Sequence, residues 1–546
     1  MSLGAAADSC AFGPSGVAFI ERTLRDRPHA KILVLERGSY VLPTHYQMLP
    51  LAFRSVRGTP PTTYPWSRST EMATTGEQMF QAGCLPILGG SSTYWSAWCP
   101  EPTPDLLRGW PQALIDVTLR PDFWEQARTF LHVMSTSDID DGVYGRLQQQ
   151  LDANLSANFK RLVPSAQSAY PAPIAVANPS WKSVKYYKYD TVGTLLGLHN
   201  AQRALAAQGK GSPLPIVDHC IVERLLHDGH GTVTAIETSR GTLAVASAKI
   251  ILAMGTIPPT TLLMNSFRHQ LPNAGKRYTG HFMSHVVARV KRSAFKKLSS
   301  LELGAMYLEG KDAQGLQYHV QVSAFASAHP RLDEPTIARE APDAAAMASQ
   351  SQLIGSEDHV VLVCASLGEI KEDHAHNWIR LNDTKHSAAN ITLQIMPGHE
   401  EQQLWDTMDV ATYQTIQALT TSNGAAPNIE YWIEDSDGSG SWQAARPTRA
   451  QVRLNIIVHE SCPLWIGEAP ENSVVGLDYR PHNITNVYVT GGALFPTSGS
   501  WNPTLTMCGL AQDLAERLTQ SHRASAHSPK SKAASEQPSP SISVAF

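Results

Sequence analysis

Asn486-Val-Tyr-Val-Thr-Gly-Gly-Ala-Leu-Phe-Pro-Thr-Ser-Gly-Ser-Trp-Asn502-Pro-Thr-Leu-Thr506 runs straight into Met507-Cys-Gly-Leu-Ala-Gln-Asp-Leu-Ala-Glu-Arg-Leu518. Val487, Tyr488 and Val489 read as a short buried strand that the Gly491-Gly492 pair ends. From Pro503 onward apolar residues recur at Met507, Leu510, Leu514 and Leu518, which is helical spacing. The stretch is therefore strand, loop, helix. Asn502 before Pro503 predicts an N-cap followed by proline at the first helical position. Such a helix start turns free N–H groups and partial positive charge toward whatever lies in front of Asn502, where an anion or an electron-rich ring is stabilised.

The remaining composition fits a large folded protein. With 546 residues, 42% hydrophobic and 17% charged, the chain has enough apolar material for two to four domain-sized units. A net charge of −4 without a long basic block argues against a nucleic-acid partner. Seven scattered cysteines (10, 84, 99, 220, 364, 462 and 508) show no CxxC or Cys/His spacing, which predicts free thiols in a reducing compartment. No apolar run approaches the length needed to cross a bilayer, and the first residues lack a signal peptide's basic and apolar regions. A cytoplasmic protein without a membrane partner is expected. The sequons at Asn154, Asn390 and Asn483 leave this unchanged, because such triplets arise by chance.

At the other end of the chain, Gly13-Pro-Ser15-Gly16 opens a helical stretch, Lys31-Ile-Leu-Val-Leu35 reads as a buried strand, and Glu36 follows it. A glycine turn at a helix N-terminus suits a pyrophosphate, and an acid twenty positions beyond Gly16 suits ribose hydroxyls. Two departures from that pattern stand out: Ala11 occupies the place of the first glycine, and the preceding strand shrinks to residues 5–10. Either the N-terminus is truncated or mis-spliced, or this is a native variant that still binds a dinucleotide. Later come Leu85-Pro-Ile-Leu-Gly89-Gly90-Ser91-Ser92-Thr93-Tyr94-Trp95-Ser96-Ala-Trp98 and a β-meander from Pro215 that returns at Ile250-Ile-Leu-Ala-Met-Gly255. Taken alone, each is also an ordinary glycine turn.

Together these blocks resemble the glucose-methanol-choline (GMC) flavin oxidoreductases, nearest the pyranose oxidase-like and cholesterol oxidase-like members with Asn before the last helix. The resemblance implies FAD held by Gly13, Ser15, Gly16, Glu36, Gly89, Gly90, Ser91, Ser96, Val222, Gly255, Gly492, Ala493, Asn502, Pro503 and Thr504. In pyranose oxidases a histidine of the second block attaches covalently to flavin; Tyr94 stands there in this chain, so noncovalent FAD is expected.

Ile456-Ile-Val-His459-Glu-Ser-Cys462 places a histidine after a buried strand, a setting that by itself is more often structural. The order of His459, a short loop, Val474-Val475 and the Asn486 block is similar to the family's active site, which implies a catalytic pair of His459 and Asn502. His281 and His285, four apart, show no third ligand and no HExxH pattern, so they read as structural and no metal is expected.

The expected fold is α/β: a Rossmann-like FAD domain with a parallel sheet and a β-meander (1–115, 190–295 and 451–520), and an α+β substrate domain (116–189 and 296–450) whose antiparallel sheet is backed by helices. Residues 327–358 read as a long polar lid or insertion, and residues 521–546, poor in apolar side chains, as a disordered tail. The expected activity is oxidation of a primary or secondary alcohol, either a sugar or a hydroxylated secondary metabolite, with oxygen or another carrier as electron acceptor. Hydroxynitrile lyase chemistry, or loss of FAD through the altered N-terminus, are the alternatives.

Overall fold

The computed structural model describes residues 13–49, 73–74, 80–81, 85–176, 186–343, 346–382, 391–422, 424–435, 439–527 and 543–545. Ala11 and the shortened first strand lie outside them.

One body is built on a five-stranded parallel sheet in the order Val487–Val489, Lys249–Leu252, Ser543–Ala545, Val34–Leu35, Ile216–Val217. Ile250, Ile251, Leu252, Val487 and Val489 are fully buried, as expected for parallel strands covered on both faces. The helices Pro14–Asp26 and Thr504–His527 pack on this sheet and on each other. Val222–His227, Val233–Thr238 and Gly241–Ala244 form the expected meander. The tail expected to be disordered contributes instead at two places: the last helix continues to His527, and Ser543–Ala545 forms the middle parallel strand. Both neighbours of that slot offer unpaired backbone groups, so even a short extended segment gains hydrogen bonds there.

The second body is a nine-stranded, mostly antiparallel sheet. Its long strands are Thr279–Lys291, Leu301–Lys311, Gln317–Ser327 and His359–Glu369, paired over ten or so residues each. Alternation sorts their side chains. Phe282, Met306, Tyr318, Val320 and Leu362 pack against the helices Arg146–Leu162 and His399–Thr420. On the helix His399–Thr420, Leu404, Met408, Ala411, Ile416 and Leu419 make the apolar stripe, and Glu401 accepts from the Gly398 N–H at 2.8 Å to cap its start. The opposite sheet face carries His281, Tyr307, His319 and Gln321, buried between the two bodies' side chains.

Several local expectations change. His281 and His285 lie on one face of the Thr279–Lys291 strand. The stretch 327–358 holds the helix Pro330–Glu340 and a short turn Gln350–Leu353, with Ile337, Ala341 and Leu353 buried, so it is packed against the sheet. The helix Phe123–Leu131 packs in the parallel-sheet core, while the strands Thr279–Lys291 and Arg453–Ser461 belong to the antiparallel sheet. Among the described residues no helix is long and apolar enough to cross a membrane.

Candidate active site

The strand Arg453–Ser461 pairs with Thr279–Lys291, and between the partners Thr279↔Ser461 and His281↔Val458 it carries one extra residue. This β-bulge includes His459 at φ 58°, an unusual backbone for a non-glycine residue. Bulges re-aim side chains, and this one turns the imidazole toward the sheet's polar face. The bulge is pinned from the other body: Thr256 Oγ1 donates to Glu460 O at 2.7 Å, Cys462 N to Gly492 O at 3.2 Å, and Leu464 N to Ala493 O at 3.0 Å.

His459 Nδ1 lies 3.0 Å from His281 Nδ1, with the rings near perpendicular. His319 lies beyond His281, and the Tyr307 ring stacks on it with centroids 4.8 Å apart. Gln321 Nε2 sits 3.1 Å from His319 Nε2 and donates to Asn502 Oδ1 at 2.9 Å, which Tyr307 Oη also reaches at 3.1 Å. Two hydrogen-bonded groups, one holding His459 and one holding Asn502, thus meet where the His281 and His319 rings approach with centroids 6.5 Å apart. The last helix begins at Thr504, one residue later than expected, and Pro503 O accepts its first bond from Met507 N. Asn502 is therefore not its N-cap. Its carbonyl oxygen is held by Tyr307 and Gln321, and no hydrogen bond among the described residues engages its Nδ2.

Burial makes the cluster uncharged. It lowers His459 to about 4, lowers His281 and His319 well below the ordinary imidazole value, and raises the Tyr307 phenol. Neighbouring histidines add to the lowering for His281 and His319. A neutral imidazole is suited to taking a hydroxyl proton, and a carboxamide N–H to holding an oxygen that gains charge.

The glycine blocks line the parallel-sheet side. Gly13 is the N-cap of Pro14–Asp26, without a side-chain cap or an acid in the first turn, and a Cβ added there meets nothing within 4 Å. Ser15 and Gly16 are buried in that first turn. Glu36 follows the Val34–Leu35 strand, fully buried, and accepts from Gly38 N at 2.7 Å. Gly255 has φ 75° with open space at its Cβ position, and Gly491, at φ 98°, approaches so closely that an added Cβ would lie 3.0 Å from Gly255 O. At Gly492 the added Cβ would crowd Thr256 Oγ1 at 2.7 Å. Gly89, at φ 91°, starts the tight turn Gly90–Thr93, and Ser92 Oγ bonds Gly89 O and Thr191 Oγ1. Ser91 is exposed, Ser96 half-buried, and Val222 opens the meander, bonded to none of the His/Asn cluster. The Gly89 block nonetheless reaches the site through Trp98, whose ring lies 6.0 Å from that of Tyr307. Tyr94 stacks flat on Tyr46 with centroids 4.3 Å apart.

Sequence reasoning missed four members: His281, read as structural, and His319, Gln321 and Tyr307. The available signal was polar side chains at every second position, Gln317, His319 and Gln321, in a strand otherwise apolar enough to be buried.

A two-body α/β protein with a glycine-lined parallel sheet and a neutral His/Asn cluster against an antiparallel sheet has the layout of the flavin-type oxidoreductases acting on CH–OH groups. Residues 373–511 match the family model described as GMC oxidoreductase. No curated protein sequence matches it. Among solved structures it is similar to pyridoxine 4-oxidase from Mesorbium loti, at 12% identity and a TM-score of 0.57, over 93% of this chain and 98% of that one. At that identity the likeness is one of fold. Members of the family use FAD. The chain's residues fit it: an uncapped helix N-terminus, a buried acid at a strand end and glycines that open the backbone lie on the parallel-sheet side.

Proposed function

We propose that this chain oxidises a primary or secondary alcohol to the carbonyl with noncovalent FAD. The observation that carries the reading is the pair of hydrogen-bonded groups, His459 with His281 and Asn502 with Gln321 and Tyr307, that meet at the His281 and His319 rings. FAD, when bound, supplies the acceptor for the hydride leaving the alcohol carbon. The remaining work falls to the chain. Neutral His459 accepts the hydroxyl proton on the ring nitrogen not facing His281, and Asn502 Nδ2 donates to the oxygen as it gains negative charge. Tyr307 and Gln321, by holding Asn502 Oδ1, aim that N–H. Gly13, Ser15, Gly16 and Glu36 would hold the adenosine and pyrophosphate portion. Gly89, Gly90, Ser91, Ser96, Gly255, Gly492, Ala493, Asn502, Pro503 and Thr504 would line the flavin side, with Val222 near the adenine. Sugars and hydroxylated secondary metabolites are the substrate classes to try, and oxygen is the first acceptor to try.

The test is the visible spectrum of the purified chain before and after anaerobic addition of an alcohol panel. Flavin bands that bleach with an alcohol are the expected result. A flavin-loaded protein that no alcohol reduces, yet which releases cyanide from cyanohydrins, would overturn the redox reading in favour of a lyase.

A further inference from the structure

We propose that the substrate is an uncharged alcohol with a largely apolar body, seated along the antiparallel sheet from His459 over Met283 toward Trp432. This rests on the reading of His459 as the base and selects among the alcohols that reading admits. The strand Thr279–Lys291 is an inner strand, paired on one side with His359–Glu369 and on the other with Arg453–Ser461 and then Ile429–Glu434. Its side chains at 281, 283, 285, 287 and 289 share the face on which His281 meets His459. On an inner strand a side chain gains exposure only from space above its own face. Met283 and His285 are half-buried, as are Val458 and His459 on the neighbouring strand and Trp432 and Trp442 farther along. Open space therefore runs over the sheet from His459 past Met283 toward the two tryptophans.

The lining of that space decides what fits it. Val458, Met283, Trp432 and Trp442 pack on the core that holds Tyr307 and Val287, and the two indole rings meet edge to face with centroids 5.2 Å apart. Thioether and aromatic side chains give adaptable apolar contact. Beyond His459 itself, His285 is the one polar side chain among these half-buried residues, so the body carries at most one further hydroxyl or carbonyl there. A pyranose would bring several hydroxyls, and each one stripped of water without a partner costs binding. Charge finds no welcome at either end. Arg289, next to the tryptophans, is met by Glu430 at 2.7 Å and lies over the Trp442 ring at 4.6 Å. Glu369, opposite His281, is buried and engaged by Gln317 N at 2.9 Å and by Arg108. Trp432 follows Tyr431, the partner of Ala288, so the tryptophan end stands four strand positions, roughly 13 Å, from Met283. FAD would not compete for this strip. The glycines that would hold it belong to the parallel-sheet body, whereas Trp432 and Trp442 sit on the last two strands of the antiparallel sheet.

The experiment measures kcat/KM of the flavin-loaded full chain for linear primary alcohols from ethanol to dodecanol, with glucose beside them. The expected result is a rise of about three-fold per added methylene that levels off near about ten carbons, with glucose about 10³-fold or more below the best alcohol. Met283→Gln keeps the side chain's length but brings an amide into the strip, and it should cost the longest alcohols about ten-fold more than ethanol. Trp432→Ala should move the levelling-off two or three carbons earlier. A merely structural defect would lower every chain length alike. A flat chain-length series in the wild type, or glucose turned over as well as the long alcohols, would overturn the proposal without any variant. So would folded Met283→Gln and Trp432→Ala proteins with the wild-type series. Linear methyl ketones, which hydride loss cannot oxidise, are titrated calorimetrically into the same protein. Ketones that bind more tightly with length, in a protein whose flavin no alcohol reduces, would sink the proposed oxidation and leave the apolar strip standing. Flavin reduced equally by short and long alcohols would do the reverse, and binding of no ketone with reduction by no alcohol would overturn both.

Discussion

At the scale of single residues the site is a set of neutral hydrogen-bonding groups, and its pH behaviour follows from that. His459 is held near 4 by burial, below its unfolded value near 6.5. As a base it is unprotonated across the neutral range, so kcat/KM should stay flat from about pH 9 to about pH 5 and fall as the pH drops through about 4. The stability linkage has the same direction. A histidine whose folded value is lowered contributes stability fully above the unfolded value, and that contribution is lost as pH falls from about 6.5 to about 4. A rate profile with its acid limb near 6.5 would show that the imidazole is solvated during turnover. His459→Gln should lower kcat by about 10²–10⁴ while flavin binding, followed by absorbance, is retained. Asn502→Ala tests the other partner. It removes a donor that caps no helix, so turnover should fall by about 10²-fold while the melting temperature drops only modestly. The reverse outcome, intact turnover in a weakened protein, would confine Asn502 to structure.

At the scale of elements, the helix His399–Thr420 is fastened to the strand that bears His459. Asp409 accepts from Ser284 Oγ at 2.6 Å and from Arg453 Nε at 2.8 Å, and Trp405 Nε1 donates to Ser284 Oγ at 2.8 Å. Asp409→Ala leaves Arg453 its second carboxylate, Asp406, but removes one ion pair and the acceptor of Ser284 Oγ, so it should destabilise by about 1–3 kcal/mol in urea unfolding. A loss under about 1 kcal/mol would mean that the apolar stripe alone seats the helix. Elements with strong local signals were legible in the sequence: the meander and the Asn486 block stand close to where spacing and turn residues put them. So was the Asn502-Pro503 helix start, though tertiary hydrogen bonds drew Asn502 out of the cap and moved the start to Thr504. What was not legible is what only pairing creates. The bulge at His459 depends on register against a strand 178 residues away, and His281 meets His459 only through that register. Likewise, the segment Pro330–Glu340 looks like loop by composition, and only the sheet beneath gives its buried residues something to cover.

At the scale of the whole molecule, the glycine blocks come from segments hundreds of residues apart, and bound FAD would touch many of them at once. Noncovalent FAD should therefore raise the melting temperature in a concentration-dependent way, and acid precipitation should leave the pellet white and the supernatant yellow. A yellow pellet would mean a covalent bond despite Tyr94. The packing of the Pro14–Asp26 helix on the Thr504–His527 helix has a consequence for biosynthesis. Arg22 Nε meets Glu516 Oε1 at 3.0 Å across 494 positions of sequence. At ribosomal speeds of about 5–20 residues per second, the first helix emerges roughly half a minute to a minute and a half before its partner exists. During that interval Val17, Phe19, Ile20 and Leu24, all buried in the finished protein, have nothing to rest on. The nascent chain thus presents its oldest apolar face to solvent until Glu516 and its helix are made, the interval in which holding chaperones have their longest opportunity to bind.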